Sequence, residues 1–285
     1  MALALVTGIL WPPPTALLAA PKEICTELLS GSGGSLYRDP TELSQTEWRQ
    51  VSLDHKTAKE LIRQLRSHED FDYFYPSFLR AWQRRLNKLE AGERQVLPFA
   101  EEFTVLSYYE VESGHITSMY RALNHWLRKG ELMDFEAHQL RSMAFIMASV
   151  LNKLPPDRLV RDQVVFRGLS LPAEKVHELY VEGQVVEDLG FMSSSLDRDV
   201  ADDFSYGNMD NERVILVIRS QTGLKISNLL GQGASRSAED YLDEQEVIFL
   251  PRTPFKVKRI FTENFRRIIE LEEMSPTETS SASSQ

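Results

Sequence analysis

The apolar pattern of the chain changes period once, at Pro155-Pro156, and that change limits the fold more than any other feature. Before it, apolar residues recur at helical spacing: Leu61 and Leu65; Phe78, Leu79, Trp82, Leu86 and Leu89; Ile116, Met119, Tyr120, Leu123 and Leu127; Leu140, Met143, Ile146, Val150 and Leu151. Steps of three and four residues put each set on one face of a helix. After it, QVVFR (163–167), GFMSS (190–194), RVILVIR (213–219), EVIFL (246–250), FKVKRIF (255–261) and RIIEL (267–271) are β-branched and aromatic runs parted by turn residues. These read as strands. Helices first and strands second predict an α+β fold and disfavour an alternating β/α chain.

Composition divides the 285 residues further. Residues 1–54 are loop-rich, with Gly31, Gly33 and Gly34 among serines, and are expected to be a leader for export or targeting. The first 21 residues carry no charge, but they lack the basic start of a secretion signal and are broken by Pro12, Pro13 and Pro14. Residues 55–97 are expected to be a helical docking or accessory segment, 98–272 the catalytic domain, and 273–285 a disordered tail without an apolar anchor. In the accessory segment the stripe Trp82, Leu86, Leu89 reads as core, and Arg80, Arg84, Arg85 and Lys88 as a solvated helix face.

A single cysteine, Cys25, excludes intramolecular disulfides and thiolate zinc sites, and no two of the six histidines stand four apart, so no metal is expected. No run of about 18 apolar residues is present, so no transmembrane segment is expected. The formal charge of −10 argues against nucleic acid as a partner. Much of that charge lies in residues 182–246, with 5 basic against 14 acidic side chains, a setting that favours a cationic acceptor.

The common nucleotide motifs fail. GQGASR (231–236) follows a turn and puts Arg236 where a dinucleotide loop needs a small residue; Walker loop, nucleophile elbow and H-E-x-x-H are all missing. Glu244-Gln245-Glu246 is more informative because it runs straight into Val247-Ile248-Phe249-Leu250. Alternation along a strand would put both carboxylates on one side, at the mouth of a core. There a carboxylate can stabilise the positive charge that develops when a glycosidic bond breaks. An isolated E-x-E is ordinarily a solvated acidic turn. Two other strand ends accompany this one: Phe166-Arg167-Gly168, whose arginine can clamp a diphosphate, and Gly190-Phe191-Met192-Ser193-Ser194-Ser195, whose hydroxyls can orient a carboxylate or a ribose.

In this order the motifs resemble the arginine–serine–glutamate clade of the mono-ADP-ribosyltransferases, the group of bacterial binary-toxin and exoenzyme catalytic domains. ALNHWLRKG (122–130) is similar to the family's helix, LNKLPPDRLVRDQVVFRGL (151–169) to its arginine strand, GFMSSSLDRDVADDF (190–204) to its serine motif and YLDEQEVIFLPRTPFKV (241–257) to its E-x-E strand. The resemblance spans about Phe99 to Glu272. It implies a helical part followed by a two-sheet β core with an NAD cleft between the sheets. It also implies Arg167 on the NAD phosphates, Gly168 at the nicotinamide, Tyr120 and Asn124 at the adenosine half, Phe204 flanking the nicotinamide, and Ser195 as a further cofactor contact. Glu246 would hold the ribose 2′-hydroxyl and the oxocarbenium charge, Ser193 would hold Glu246, Glu244 would orient and deprotonate the acceptor, and Tyr241 would belong to the acceptor-recognition turn. Gly207 stands near the position where some relatives carry a second basic residue, which leaves Arg213 as a candidate second clamp.

The expected activity is transfer of ADP-ribose from NAD to a protein side chain, arginine first because the form is E-x-E. NAD hydrolysis with water, a non-arginine acceptor such as threonine, and an inactive binding module are the alternatives. The expected protein is a monomer, secreted or injected to act on a host-cell protein in the cytoplasm; a protein of its own cell's cytoplasm is the alternative.

Overall fold

The computed structural model describes residues 39–54, 56–58, 60–61, 119–133, 135–226 and 245–274. Cys25, the stripe at Trp82, most of the accessory segment, Tyr241, Glu244 and the tail from residue 275 lie outside these residues.

The N-terminal elements begin with a short helix, α1 (Gln45–Gln50), which opens on a capping box between Ser44 and Glu47. Helix α2 (Met119–Lys129) buries Met119, Leu123 and Leu127 of the stripe seen in the sequence, together with Ala122 and Trp126, and turns its basic end outward. Gly130, at φ 72°, stops it with an N–H bond to the Trp126 carbonyl. Helix α3 (Ala137–Lys153) is buried nearly all round and stops before Pro155-Pro156.

The expected leader boundary at residue 54 is corrected here. Leu43, Trp48, Val51, Leu53, Ala58 and Leu61 share one buried cluster with α2, α3, Phe191, Ile248 and Leu250. Polar groups of α3 hold this segment's backbone: Asn152 donates to the Trp48 and Val51 carbonyls, and Ser149 accepts from the Leu53 N–H. Loop-rich composition hid this, because Trp48 and Leu43 are anchors too widely spaced to show a period.

Strands follow: β1 (Leu159–Val160), β2 (Gln163–Leu171), β3 (Val185–Glu187), β4 (Met192–Ser195), β5 (Glu212–Ser220), β6 (Gly223–Lys225), β7 (Glu246–Phe249), β8 (Pro254–Glu263) and β9 (Arg266–Glu273). Helix α4 (Ala173–Leu179) lies between β2 and β3, and α5 (Arg198–Phe204) between β4 and β5. The hydrogen-bonded order is β1-β6-β7-β4-β2-β5-β9-β8-β3. In the middle, β2 and β4 share only the pair Phe166–Ser195. The order therefore divides into two halves, and both contribute to a second buried cluster: Val247 and Phe249 from one half meet Leu216, Ile218, Val257 and Leu271 from the other. The two-sheet arrangement takes this form. After Glu246, strand β7 is apolar because it is buried on both faces: Ile248 points into the helical core, and Val247 and Phe249 into the inter-sheet core. Among the described residues no helix is long and apolar enough to cross a membrane.

Candidate active site

Strand parity builds the site. β4 and β7 are antiparallel with Ser195 opposite Glu246 and Ser193 opposite Ile248. Paired residues share a face, so Ser193, Ser195 and Glu246 all project to the side of Ile248, the side covered by α2 and α3. Ser193 Oγ donates to Glu246 Oε1 at 2.6 Å. Arg167, from β2, donates from Nη1 to the Ser193 carbonyl at 2.5 Å. The three residues singled out as clamp, holder and catalytic carboxylate therefore form one chain of contacts across the joint between the sheet halves. Ser194, of opposite parity, is buried and donates to the Val247 carbonyl at 2.9 Å, tying β4 to β7. Ser195 accepts from the Asp197 N–H at 2.8 Å, and Asp197 caps α5.

The E-x-E does not continue as an extended strand through its middle residue. Gln245 has φ 44°, so β7 starts at Glu246 and simple alternation does not extend to Glu244. Glu244 and Tyr241 fall outside the described residues.

Asn124 is buried, and its Oδ1 accepts from the Phe191 N–H at 2.8 Å. It thus holds the turn leading into the serine strand. Tyr120, one helical turn earlier, is half-buried and its hydroxyl accepts from Arg121 Nε at 2.9 Å. Gly168 faces away from Arg167: a Cβ there would lie 1.8 Å from the Ala201 carbonyl oxygen, so the glycine admits the backbone of α5. Phe204 ends α5 and is exposed.

Arg213 is corrected as a second clamp. It pairs with Ser170 in β2, three positions from Arg167, and so lies on the opposite face of the sheet. There it bonds Ser205 and Asp202 and covers the Tyr206 ring at 3.5 Å.

Sequence reasoning missed a second cation on the correct side. Arg128, which closes the run Asn124-His125-Trp126-Leu127-Arg128 (N-x-x-L-R) of α2, donates to both carboxylate oxygens of Asp188 at 2.7 and 2.9 Å. Asp188 also accepts from the Gly190 N–H at 2.9 Å. Burial alone would raise the Asp188 pKa; the charge and hydrogen bond of Arg128, the charge of Arg167 and the Gly190 bond outweigh it and hold the carboxyl below its usual range. Tyr180 lies in the same group, its phenol pushed up to about 12 by burial, with Arg167 and Arg128 opposing and Asp188 adding to the rise. The available signal was the arginine of N-x-x-L-R, four residues after Asn124 and so on its helix face.

Arg167 beside a hydroxyl-held carboxylate, with Arg128 near it at Asp188, fits a ligand with a diphosphate and a glycosidic carbon. Among the described residues no group of three metal-ligating side chains forms.

The model of the family NAD:arginine ADP-ribosyltransferase matches residues 44–279. The NAD(+)–arginine ADP-ribosyltransferase Mav of Mycobacterium avium (strain 104) is 30% identical over 189 residues, covering 64% of this chain and 20% of Mav. The chain thus spans about a fifth of that relative's length. Among solved structures, the type III effector XopAI from Xanthomonas axonopodis pv. citri matches with a TM-score of 0.54 at 21% identity, over 81% of this chain and 88% of XopAI. The ADP-ribosyltransferase HopU1 of Pseudomonas syringae pv. Tomato DC3000 matches with 0.52 at 19%, over 78% of this chain and 99% of HopU1. These two share the fold. With a family match extending from α1 to beyond β9, the chain belongs to the NAD:arginine ADP-ribosyltransferases, whose co-substrate is NAD.

Proposed function

We propose that this chain transfers ADP-ribose from NAD to an arginine of a protein and releases nicotinamide, and that it is of the arginine–serine–glutamate type. The observation that supports this reading is the contact chain from Arg167 through Ser193 to Glu246. In the reaction, the bond between the nicotinamide nitrogen and the ribose carbon breaks and its electron pair leaves with nicotinamide. A guanidinium nitrogen of the acceptor forms the new bond and gives up one proton. Glu246 stabilises the oxocarbenium charge, and Ser193 keeps its carboxylate aimed. Glu244 is assigned the acceptor's proton, and Tyr241 is assigned to acceptor recognition. Arg167 takes the diphosphate, with Arg128 rather than Arg213 as its companion. Tyr120, Ser195 and Phe204 are assigned to the rest of the cofactor.

The acceptor is proposed to belong to a host cell, a reading supported by the effector XopAI, which has this fold, and to be arginine, a reading supported by the name of Mav. Secretion or injection would deliver the protein there.

Glutamine substitutions test the roles. Glu246→Gln should lower both NAD hydrolysis and transfer to the small guanidine agmatine by about 100- to 1,000-fold. Glu244→Gln should lose transfer but keep measurable hydrolysis, both read with labelled NAD. Equal transfer by the two variants would overturn the assignment, and hydrolysis without any transfer by the unaltered chain would favour water as acceptor.

A further inference from the structure

Strands β8 and β9 are joined by two residues, Asn264 at φ 48° and Phe265 at φ 60°. Two positive φ values between strands paired at Glu263–Arg266 make a type I′ turn, whose second position is ordinarily glycine. A phenylalanine there is strained. Its ring gains nothing within the chain, being 98% exposed. A strained and fully solvated aromatic costs the free protein stability, so its return must come from something outside the chain.

The surroundings indicate what that is. Glu263 is ion-paired with Arg198, and Arg266 with Asp202, so the hairpin tip is fastened to both ends of α5. That helix starts three residues after Ser195. Tyr206 and Met209 are exposed between α5 and β5. Phe265 lines an open hollow of about 350 Å³ together with Asn211, Glu212, Arg213, Thr262, Arg266 and Arg267. Residues 252–267 hold six basic side chains and one acidic; Arg252, Lys258, Arg266 and Arg267 are paired with carboxylates, and Lys256 and Arg259 are exposed. A standard interface covers about 800 Å² per partner, enough to reach from the site past this short helix.

From this we infer that the β8–β9 hairpin is a docking element for the acceptor protein, with Phe265 as an apolar anchor and the exposed Lys256 and Arg259 favouring an acidic surface beside the modified arginine. The inference rests on the transfer reading above. It separates two tasks: the cleft handles NAD and a guanidinium, and the hairpin decides which protein brings one.

The test uses the full chain carrying Phe265→Gly, which relaxes the turn, and a second variant, Arg259→Glu, which reverses a charge at an exposed position. Three rates are read: NAD hydrolysis, ADP-ribosylation of agmatine, and labelling of proteins in a eukaryotic cell lysate from labelled NAD. Phe265→Gly should keep the first two within twofold, match or exceed the unaltered chain's melting temperature, and lower protein labelling at least tenfold. Arg259→Glu should lower protein labelling alone and weaken its dependence on salt. Unchanged protein labelling by Phe265→Gly would overturn the inference, as would a dimer of the unaltered chain that this variant dissolves, since the hairpin would then bind a second copy. If the unaltered chain neither hydrolyses NAD nor modifies agmatine, the transfer reading fails and the inference fails with it; intact agmatine transfer with unaltered protein labelling in both variants refutes the inference alone.

Discussion

Gly190 and Asn124 meet so closely that a Cβ on the glycine would lie 2.6 Å from Asn124 Oδ1. Gly190→Ala should therefore push that oxygen off the Phe191 N–H and let the serine strand drift, lowering kcat with little change in melting temperature. Gly168→Ala is the opposite case, because its clash is with backbone: overpacking of about 1–3 kcal/mol should appear as a lower melting temperature. Asp188 contributes through its charged form. Its folded pKa is depressed, so the contribution is complete above the unfolded value of about 3.9 and disappears as pH falls through the folded value. Asp188→Asn should be less stable at neutral pH and show a flatter loss of stability in acid, measured by denaturant unfolding from pH 7 downwards. At this scale the structure gives two of the residues singled out in the sequence tasks that the sequence does not display. Asn124 and Gly168 carry packing and hydrogen-bonding tasks that only the paired elements reveal.

Helix α1 matters out of proportion to its six residues. Trp48 is fully buried, with its ring 6.2 Å from Phe145 of α3 and 5.8 Å from Phe191 at the start of the serine motif. Trp48→Ala should cost about 3–5 kcal/mol. Removal of residues 1–54 should leave a chain that fails to fold cooperatively, checked by thermal melting. The same elements show what could be read in advance. α2, α3 and the long strands carry a full period of apolar residues and were legible. Strands β1, β3 and β6 have two or three residues each, too few to show alternation, and α4 and α5 are single-faced helices of seven residues inside a strand-rich half. Glu246 and Ser193 were legible as motif members, whereas the bond between Arg128 and Asp188 was not, because its partners stand sixty residues apart.

For the molecule as a whole, the charge count overstated the field at the cleft. Glu187, Asp188, Asp202 and Glu212 belong to the acidic stretch 182–246, yet each is paired with an arginine from outside it: Arg252, Arg128, Arg266 and Arg267 respectively. A cationic acceptor should therefore be drawn in only modestly, and the KM for agmatine should rise less than about threefold between 20 and 300 mM salt. The joint at Phe166–Ser195 has a further consequence. Arg167 belongs to one sheet half, and Ser193 and Glu246 to the other, while each half has its own ladder of strand pairs. Working alignment is thus held by the weakest seam of the β structure, and seams yield before the panels they join. In a denaturant titration, NAD cleavage should fall silent while far-ultraviolet circular dichroism still reports both halves folded.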